Sequence, residues 1–536
     1  VTTSTDAGDS YDALPYPSFP FAITHPDRLH VLAALAGLDP PGVERARVLE
    51  LGCAAGGNLI PIAADLPGTR CVGVDASRRQ IDEGRALVAS LGLTNCELLQ
   101  GDIAALGPEL GEFDYVVCHG VYSWVPRPVQ DAILGLCGRA LSPGGVAYVS
   151  YNTYPGWRMR MMIRDMMRYH ARQFDDPKVA VAQARRLLDY LAKNVSADRG
   201  AYTILLNQEL GVLRKQSDAY LYHEHLEAQN EPLYFHQFVE RAEAAGLAFL
   251  GEATLGETRS TLFPELADDV GRGSAAAVQA EQYRDFVLNR LFRTSLLCRR
   301  DRPTSAAPTP DAVTRFLIAS RAEKRDAASP PVEGEPEAPP GTPPGPEYVT
   351  LAGKLVRVHL PLVEALFDAL SARWPRAATF DELVGDVQAR AGEEAGDPAT
   401  LRARVAEQVL ALFADDHLEL RPRQLSVAAE VSARPRASRL ARALAQAQAA
   451  SGVVVTNQRH EPHELDRYER ELVRAADGER DLGALADVLV DAVGAGRLEV
   501  TRDGEPVTDR ATLREVFDKA LPVKLRALLR RSLLVA

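Results

Sequence analysis

Residues 48–58, VLELGCAAGGN, constrain the fold more than any other stretch of the chain. An apolar run ends in an acidic residue, turns through glycines and enters a helix-forming segment. Glycine at Gly52 and Gly56 permits a tight turn and lets a ligand approach the backbone. A dinucleotide-binding turn would read G-x-G-x-x-G and set a pyrophosphate at the helix N-terminus. Here the spacing is G-x-x-x-G-G with Glu50 before it. A carboxylate at the strand end suits a cationic ligand better than a pyrophosphate.

The surrounding pattern predicts a parallel sheet. Arg47–Leu51, Cys71–Val74, Glu97–Leu99, Phe113–Cys118 and Val146–Ser150 read as short apolar strands. Helical segments at 58–65, 77–91 and 129–140 alternate with them, which implies an α/β domain covered on both faces. A long helical stretch, 158–227, follows, and alternation resumes with a helix at 235–245 and strands at 247–253 and 294–298. The reading is one seven-stranded sheet with a helical insertion after strand five, placed to act as a lid. The stretch 158–168 carries all five methionines of the chain. Positions 159, 162, 163, 166 and 167 follow helical spacing and predict a core-facing stripe.

The 536-residue chain divides at SPPVEGEPEAPPGTPPGPE, residues 329–347, where eight of nineteen residues are proline. Such a segment forms an extended spacer rather than a core. The expected units are a cap and core at 1–157, an insertion at 158–227, completion of the sheet at 228–305 and a linker at 306–348. Two mostly helical modules with small strands, resembling winged helices, follow at 349–432 and 433–536. The Ala/Arg/Gln-rich run 433–450 reads as a solvated helix or tether. Proteolysis within the spacer is expected to release an N-terminal fragment that binds its ligand alone.

No run approaches about 18 apolar residues, which excludes a membrane-spanning helix from the expectation. Residues 1–6, VTTSTD, lack the features of a signal peptide. Six cysteines without a C-x-x-C pair point to a reducing, cytoplasmic setting. A net charge of -12 argues against a nucleic-acid partner and mildly favours a cationic one.

The Gly turn resembles the first motif of class I S-adenosylmethionine (SAM) methyltransferases. Asp75 past strand two, Gly101-Asp102-Ile103 past strand three and 141–145, LSPGG, before strand five match the order of that class. The resemblance implies a Rossmann-like fold, SAM as cofactor and S-adenosylhomocysteine as product. Asp75 would take the ribose hydroxyls, and Asp102 and Ile103 the adenine. Glu50, Gly52, Cys53, Gly56, Asn58, Gln80 and His119 complete the candidate cofactor set.

More specifically, 11–16 (YDALPY), 24–29 (THPDRL), 49–53 (LELGC), 119–125 (HGVYSWV), 150–157 (SYNTYPGW), 223–227 (HEHLE) and 234–236 (YFH) resemble bacterial methyltransferases with a methyltransferase regulatory domain. That family includes rickettsial protein lysine methyltransferases acting on outer-membrane proteins. The resemblance implies a lysine acceptor, and a cap in which Tyr16 touches the cofactor pocket.

Two loops at the ends of strands four and five hold the acceptor-side candidates: His119, Tyr122, Trp124, Tyr151, Asn152, Tyr154 and Trp157. Methyl transfer from a sulfonium is an in-line displacement, so catalysis is mostly alignment and desolvation. His119, Tyr122, Trp124, Asn152, Tyr154 and His223 form the candidate catalytic set. His223 and His225 would diverge by about 200° on a helix, so no metal site is expected. A small-molecule acceptor, or a SAM-binding regulator touching nucleic acid through its winged helices, stands as the alternative reading.

Overall fold

Seven strands form the central sheet: β1 (Arg47–Leu51), β2 (Arg70–Asp75), β3 (Cys96–Gln100), β4 (Phe113–Cys118), β5 (Leu141–Asn152), β6 (Leu247–Glu252) and β7 (Phe292–Arg299). In this computed structural model residues 18–254, 274–302, 308–325, 345–350, 355–391, 396–446, 453–502 and 504–536 are described. The order is β3-β2-β1-β4-β5-β7-β6. β1 to β5 run parallel, and β7 is antiparallel to both β5 and β6. The apolar centres of β1 and β4 are buried on both faces, as expected for strands covered by helices. Strand order reverses between β1 and β4, and ligands of open α/β sheets bind outside the strand ends at such a switch.

The insertion follows β5 as helices Gly156–Ala171, Pro177–Asn194 and Ala201–Leu213, then a short helix Asp218–Leu221 and a π-helical turn Tyr222–Leu226. It has its own core, including Met167, Leu188 and Leu210. The methionine stripe is narrower than expected: Ile163 and Met167 are buried, whereas Met159 is 48% exposed. The helix Ser274–Leu288, absent from the sequence reading, packs beside the helix Phe235–Ala244. Its Asp285, with Glu252 of β6, grips the wholly buried Arg293 of β7 at 2.8 and 2.7 Å.

Two expectations about the C-terminal half are corrected. The linker does not begin at 306: a turn at Pro310–Arg315 precedes strand Leu317–Ala319, which pairs antiparallel with Glu419–Arg421. Glu323–Lys324 pairs with Glu347–Val349, joining both ends of the proline-rich segment to the next module. Phe316 and Ile318 are buried and anchor the run. Most of the spacer itself, 326–344, lies outside the described residues. The second correction concerns 433–450, where the helix Arg439–Gln446 buries Leu440, Ala441 and Ala445 instead of standing in solvent.

The halves are also less independent than the spacer implies. Asp27, at 1% exposure, meets Arg421 at 3.3 Å and Arg423 at 3.0 Å. Arg423 also pairs with Asp65, and the Arg28 Nη2 reaches Asp416 at 3.2 Å. The last module, with hairpin Val453–Thr456/Pro462–Leu465, helices Arg467–Ala475 and Leu482–Gly494, and the long helix Arg510–Arg530, packs around its own core. Trp374 of the preceding module donates its indole N–H to the Arg530 carbonyl at 2.8 Å. A free N-terminal fragment would therefore expose polar groups that the intact chain pairs.

Removing a partner from a buried ion pair leaves uncompensated charge. Asp27→Ala is expected to lower stability by about 3 kcal/mol, read as an earlier midpoint in urea unfolding of the full chain. An unchanged midpoint would show that this contact does not hold the halves together.

Candidate active site

A cavity of about 620 Å³ opens at the carboxyl ends of β1, β2, β4 and β5, with the insertion forming its far wall. The turn after β1 shapes one side. Gly52 and Cys53 donate their N–H groups to the Val74 carbonyl of β2 at 2.8 and 3.1 Å, and Gly56 N–H closes the turn on the Cys53 carbonyl at 2.8 Å. Gly52 sits at φ +75, and a Cβ there would lie 2.3 Å from Val121 Cγ2. No other residue type fits this turn without strain.

Glu50 closes the base of the cavity. Its Oε1 accepts from Asn58 Nδ2 at 2.8 Å, while Oε2 is buried without a partner among the described residues. Burial pushes its carboxyl up to about 8, against the opposing hydrogen bond from Asn58. Asp75 accepts from Ala54 N–H at 2.8 Å and Ser77 N–H at 2.9 Å, which fixes its carboxylate at the rim. Gln80 and Cys53 line the same side, and Asp102 with Ile103 stands farther along it. Asp102 is oriented by accepting from the Ala104 N–H at 2.9 Å.

Gly56 and Asn58 do not line the cavity. Gly56 sits at φ +76 behind the turn, where a Cβ would lie 2.9 Å from Ile60 Cδ1. Asn58 works one layer deeper, against Glu50, and Tyr16 lies outside the described residues. Phe19 and Phe21 line the cavity instead. Their signal was the aromatic, proline-bearing character of the same N-terminal segment.

The opposite wall is aromatic and acidic. His119 holds Tyr148 Oη at 2.9 Å through Nδ1, and its ring lies 4.0 Å from that of Phe21. Burial lowers its pKa to about 4, so it is neutral at pH 7. Trp124 and Trp157 meet edge-to-face at 6.1 Å. Asn152 is held by its N–H to Ser123 Oγ at 2.8 Å and its side chain to Asn230 at 3.2 Å. His223 pairs with Glu227 at 3.2 Å on the π-helical turn. Glu224, on the same turn, also lines the cavity, and burial pushes its carboxyl up to about 7. π-turns recur at functional sites.

Three acceptor-side expectations are corrected. Tyr122 and Tyr151 are wholly buried against each other and Phe238, Tyr122 because its short 3₁₀ turn points it into the core. Tyr154 faces away from the cavity, with Arg158 at 4.0 Å over its ring and Tyr234 at 5.3 Å. Trp157, three residues on, takes the inward direction. His225 is likewise buried outside the cavity, diverging from His223. Among the described residues no group of three His, Cys, Asp or Glu side chains is arranged to hold a metal ion. None of the described helices is long and apolar enough to cross a membrane.

These residues fit SAM, which carries an ammonium at one end and a purine at the other. A buried carboxylate oxygen without a partner among the described residues, a second fixed carboxylate and aromatic side chains lie in one cavity, and the cradle at Gly52 keeps the backbone open. Sheet order, glycine turn and acidic strand ends define a class I methyltransferase.

Comparison with known proteins agrees. Residues 48–145 match the methyltransferase domain family, 217–299 the predicted methyltransferase regulatory domain and 433–533 the PKMT C-terminal winged helix domain. The uncharacterized protein RP789 of Rickettsia prowazekii is 32% identical over 528 residues, spanning 98% of this chain and 93% of that protein. RP028 of the same organism is 39% identical over 234 residues, 44% of this chain and 94% of its own length. The structure of PKMT2 from Rickettsia typhi in complex with AdoHcy superposes with a TM-score of 0.83 at 27% identity, covering 97% of this chain and all of that one. The chain belongs to this family of methyltransferases with a regulatory domain and a PKMT-type winged helix, and it is a SAM-dependent methyltransferase.

Gly52→Ala forces a Cβ into Val121 and strains a left-handed turn. We expect at least about a tenfold loss of S-adenosylhomocysteine affinity, one tenfold step being about 1.4 kcal/mol, measured by titration calorimetry. Unchanged affinity would mean the turn does not shape the cofactor's seat.

Proposed function

We propose that this chain transfers methyl groups to lysine side chains of a protein substrate. The observation that carries the reading is the wall facing Glu50, where Glu224 and Glu227 share one cavity with Trp124 and Trp157. Likeness to PKMT2 over nearly the whole chain supports it. A reducing, cytoplasmic setting is consistent with the six thiols.

When bound, SAM supplies an electrophilic methyl group on a sulfonium. We assign Glu50 to its ammonium, Asp75 to its ribose hydroxyls, and Asp102 with Ile103 to its adenine. Cys53, Gln80, Phe19 and Phe21 shape the walls around it.

A lysine must lose its proton before it attacks, and with a reference pKa near 10.4 roughly one in a thousand is neutral at pH 7.4. Glu224 answers that need. Arg160, Arg164 and His223 favour its ionised form, yet burial dominates and leaves the carboxyl near 7. At neutral pH it is partly ionised, and its carboxylate oxygen can receive the ammonium and then hold the proton. Trp124 and Trp157 exclude water, each ring carrying a guanidinium over one face, Arg164 at 5.7 Å and Arg160 at 5.6 Å. Asn152, fixed by Ser123 and Asn230, orients the amine. Neutral His119 fills the space beside Phe21 without adding a repelling charge. His223, tied to Glu227, supports the turn that carries Glu224.

Two measurements follow. Incubating the full chain with methyl-labelled SAM and bacterial lysate, then hydrolysing the labelled protein in acid, is expected to yield methyllysine. Methylarginine, methyl esters or label confined to small molecules would overturn the lysine reading.

The second is the pH profile of kcat/KM for the protein substrate at saturating SAM, which reports groups of the SAM-bound enzyme and of that substrate. The Glu224 carboxylate is present only above its pKa. The wild-type profile should therefore climb below about pH 7 and level off above it. Glu224→Gln should rise steadily through that range towards the pKa of the amine. Identical profiles would remove Glu224 from proton transfer.

A further inference from the structure

Glu50 is held by a hydrogen-bonded chain that begins in the C-terminal module. His460 stands at the tip of the hairpin between Val453–Thr456 and Pro462–Leu465. Its φ is +62, a left-handed conformation uncommon for a non-glycine residue. Asn457 builds the tip, its Oδ1 accepting from the N–H groups of Arg459 and Glu461 at 2.8 and 2.9 Å. Arg459 locks the hairpin in place: its guanidinium lies 3.8 Å over the Trp374 ring and takes Ser532 Oγ at 3.0 Å.

This hairpin crosses into the methyltransferase domain. His460, 4% exposed, places Nε2 at 2.7 Å from Asn58 Oδ1. The same Oδ1 accepts from Phe21 N–H at 2.8 Å, while Asn58 Nδ2 donates to Thr24 Oγ1 at 3.0 Å, whose hydroxyl donates in turn to the Phe21 carbonyl at 2.9 Å. With its oxygen engaged, the Asn58 amide turns Nδ2 towards Glu50 Oε1 at 2.8 Å. Glu50 Oε2 then stands buried without a partner among the described residues. His460 is neutral, since burial holds it well below its ordinary pKa. A neutral imidazole with its proton on Nε2 is the donor Asn58 needs. The contact spans 402 residues of sequence and joins two families of domain.

We propose that His460 is a positioning residue for the cofactor-binding carboxylate Glu50, acting through Asn58, so that occupancy of the cofactor cavity and seating of the C-terminal module are coupled. This rests on the assignment of Glu50 to the cofactor's ammonium. Phe21 belongs to the same circuit, since it donates to Asn58 through its backbone and lines the cavity with its ring. Coupling of this kind is reciprocal: whatever tightens the cofactor's seat also tightens the hairpin.

The test uses the full chain and S-adenosylhomocysteine in titration calorimetry, with Glu50→Gln, His460→Ala and His460→Gln. Glu50→Gln should weaken binding strongly. His460→Ala should weaken it about tenfold, raising the KM for SAM while kcat at saturating SAM is kept, and His460→Gln, whose amide can donate in place of Nε2, should restore most of the loss. Hydrogen exchange on the unsubstituted chain adds a readout that no folding defect can obscure. S-adenosylhomocysteine should slow exchange of the backbone amides at 456–465, which line no part of the cavity. If Glu50→Gln weakens binding while folded His460→Ala keeps wild-type affinity, or if the hairpin gains no protection, the coupling is wrong. If Glu50→Gln binds as wild type, the assignment of Glu50 itself falls, and the coupling with it.

Discussion

A carboxylate with almost no access to water organises this protein. Glu50 is the penultimate residue of β1, at the point where strand order reverses, and among the described residues only one of its oxygens has a partner. Burying a carboxylate is costly, and burial pushes the Glu50 carboxyl up to about 8. A cationic ligand relieves that cost by supplying the missing partner. The left-handed turn at Gly52, the engaged amide of Asn58 and the aromatic cover of Phe19 and Phe21 all serve to keep that oxygen buried and oriented.

The two walls of the cavity divide the chemistry. On the sheet side, carboxylates are fixed by backbone N–H groups, as Asp75 is by Ala54 and Ser77. On the insertion side, a π-helical turn brings Glu224 and His223 together beside two tryptophans. Fixed carboxylates suit binding, whereas a carboxyl poised near neutrality suits proton transfer. The insertion follows β5 directly, so the element that lengthens the chain between β5 and β6 also supplies the far wall of the cavity.

The parallel strands were legible because a strand buried on both faces must be apolar throughout, as Val48, Leu49 and Leu51 are. The cofactor wall was legible because a glycine turn and acidic strand ends recur at fixed spacing. Loop side chains were harder: Tyr154 and Trp157 read alike in sequence, yet helix Gly156–Ala171 begins between them and turns only the second inward. Tyr122 shared the aromatic character of its neighbour Trp124 and went into the core. The strand Leu317–Ala319 hid beside proline-rich sequence, its pairing partner a hundred residues on. Nothing in a linear reading joins His460 to Asn58, because that contact is a product of domain docking.

The most direct test of the account is a crystal structure of the full chain with S-adenosylhomocysteine. The account predicts the ligand's amino group on Glu50 Oε2, its ribose on Asp75, and its sulfur facing the space between Asn152, Trp124 and Glu224. An amino group bound elsewhere, or a sulfur turned away from the insertion, would contradict it.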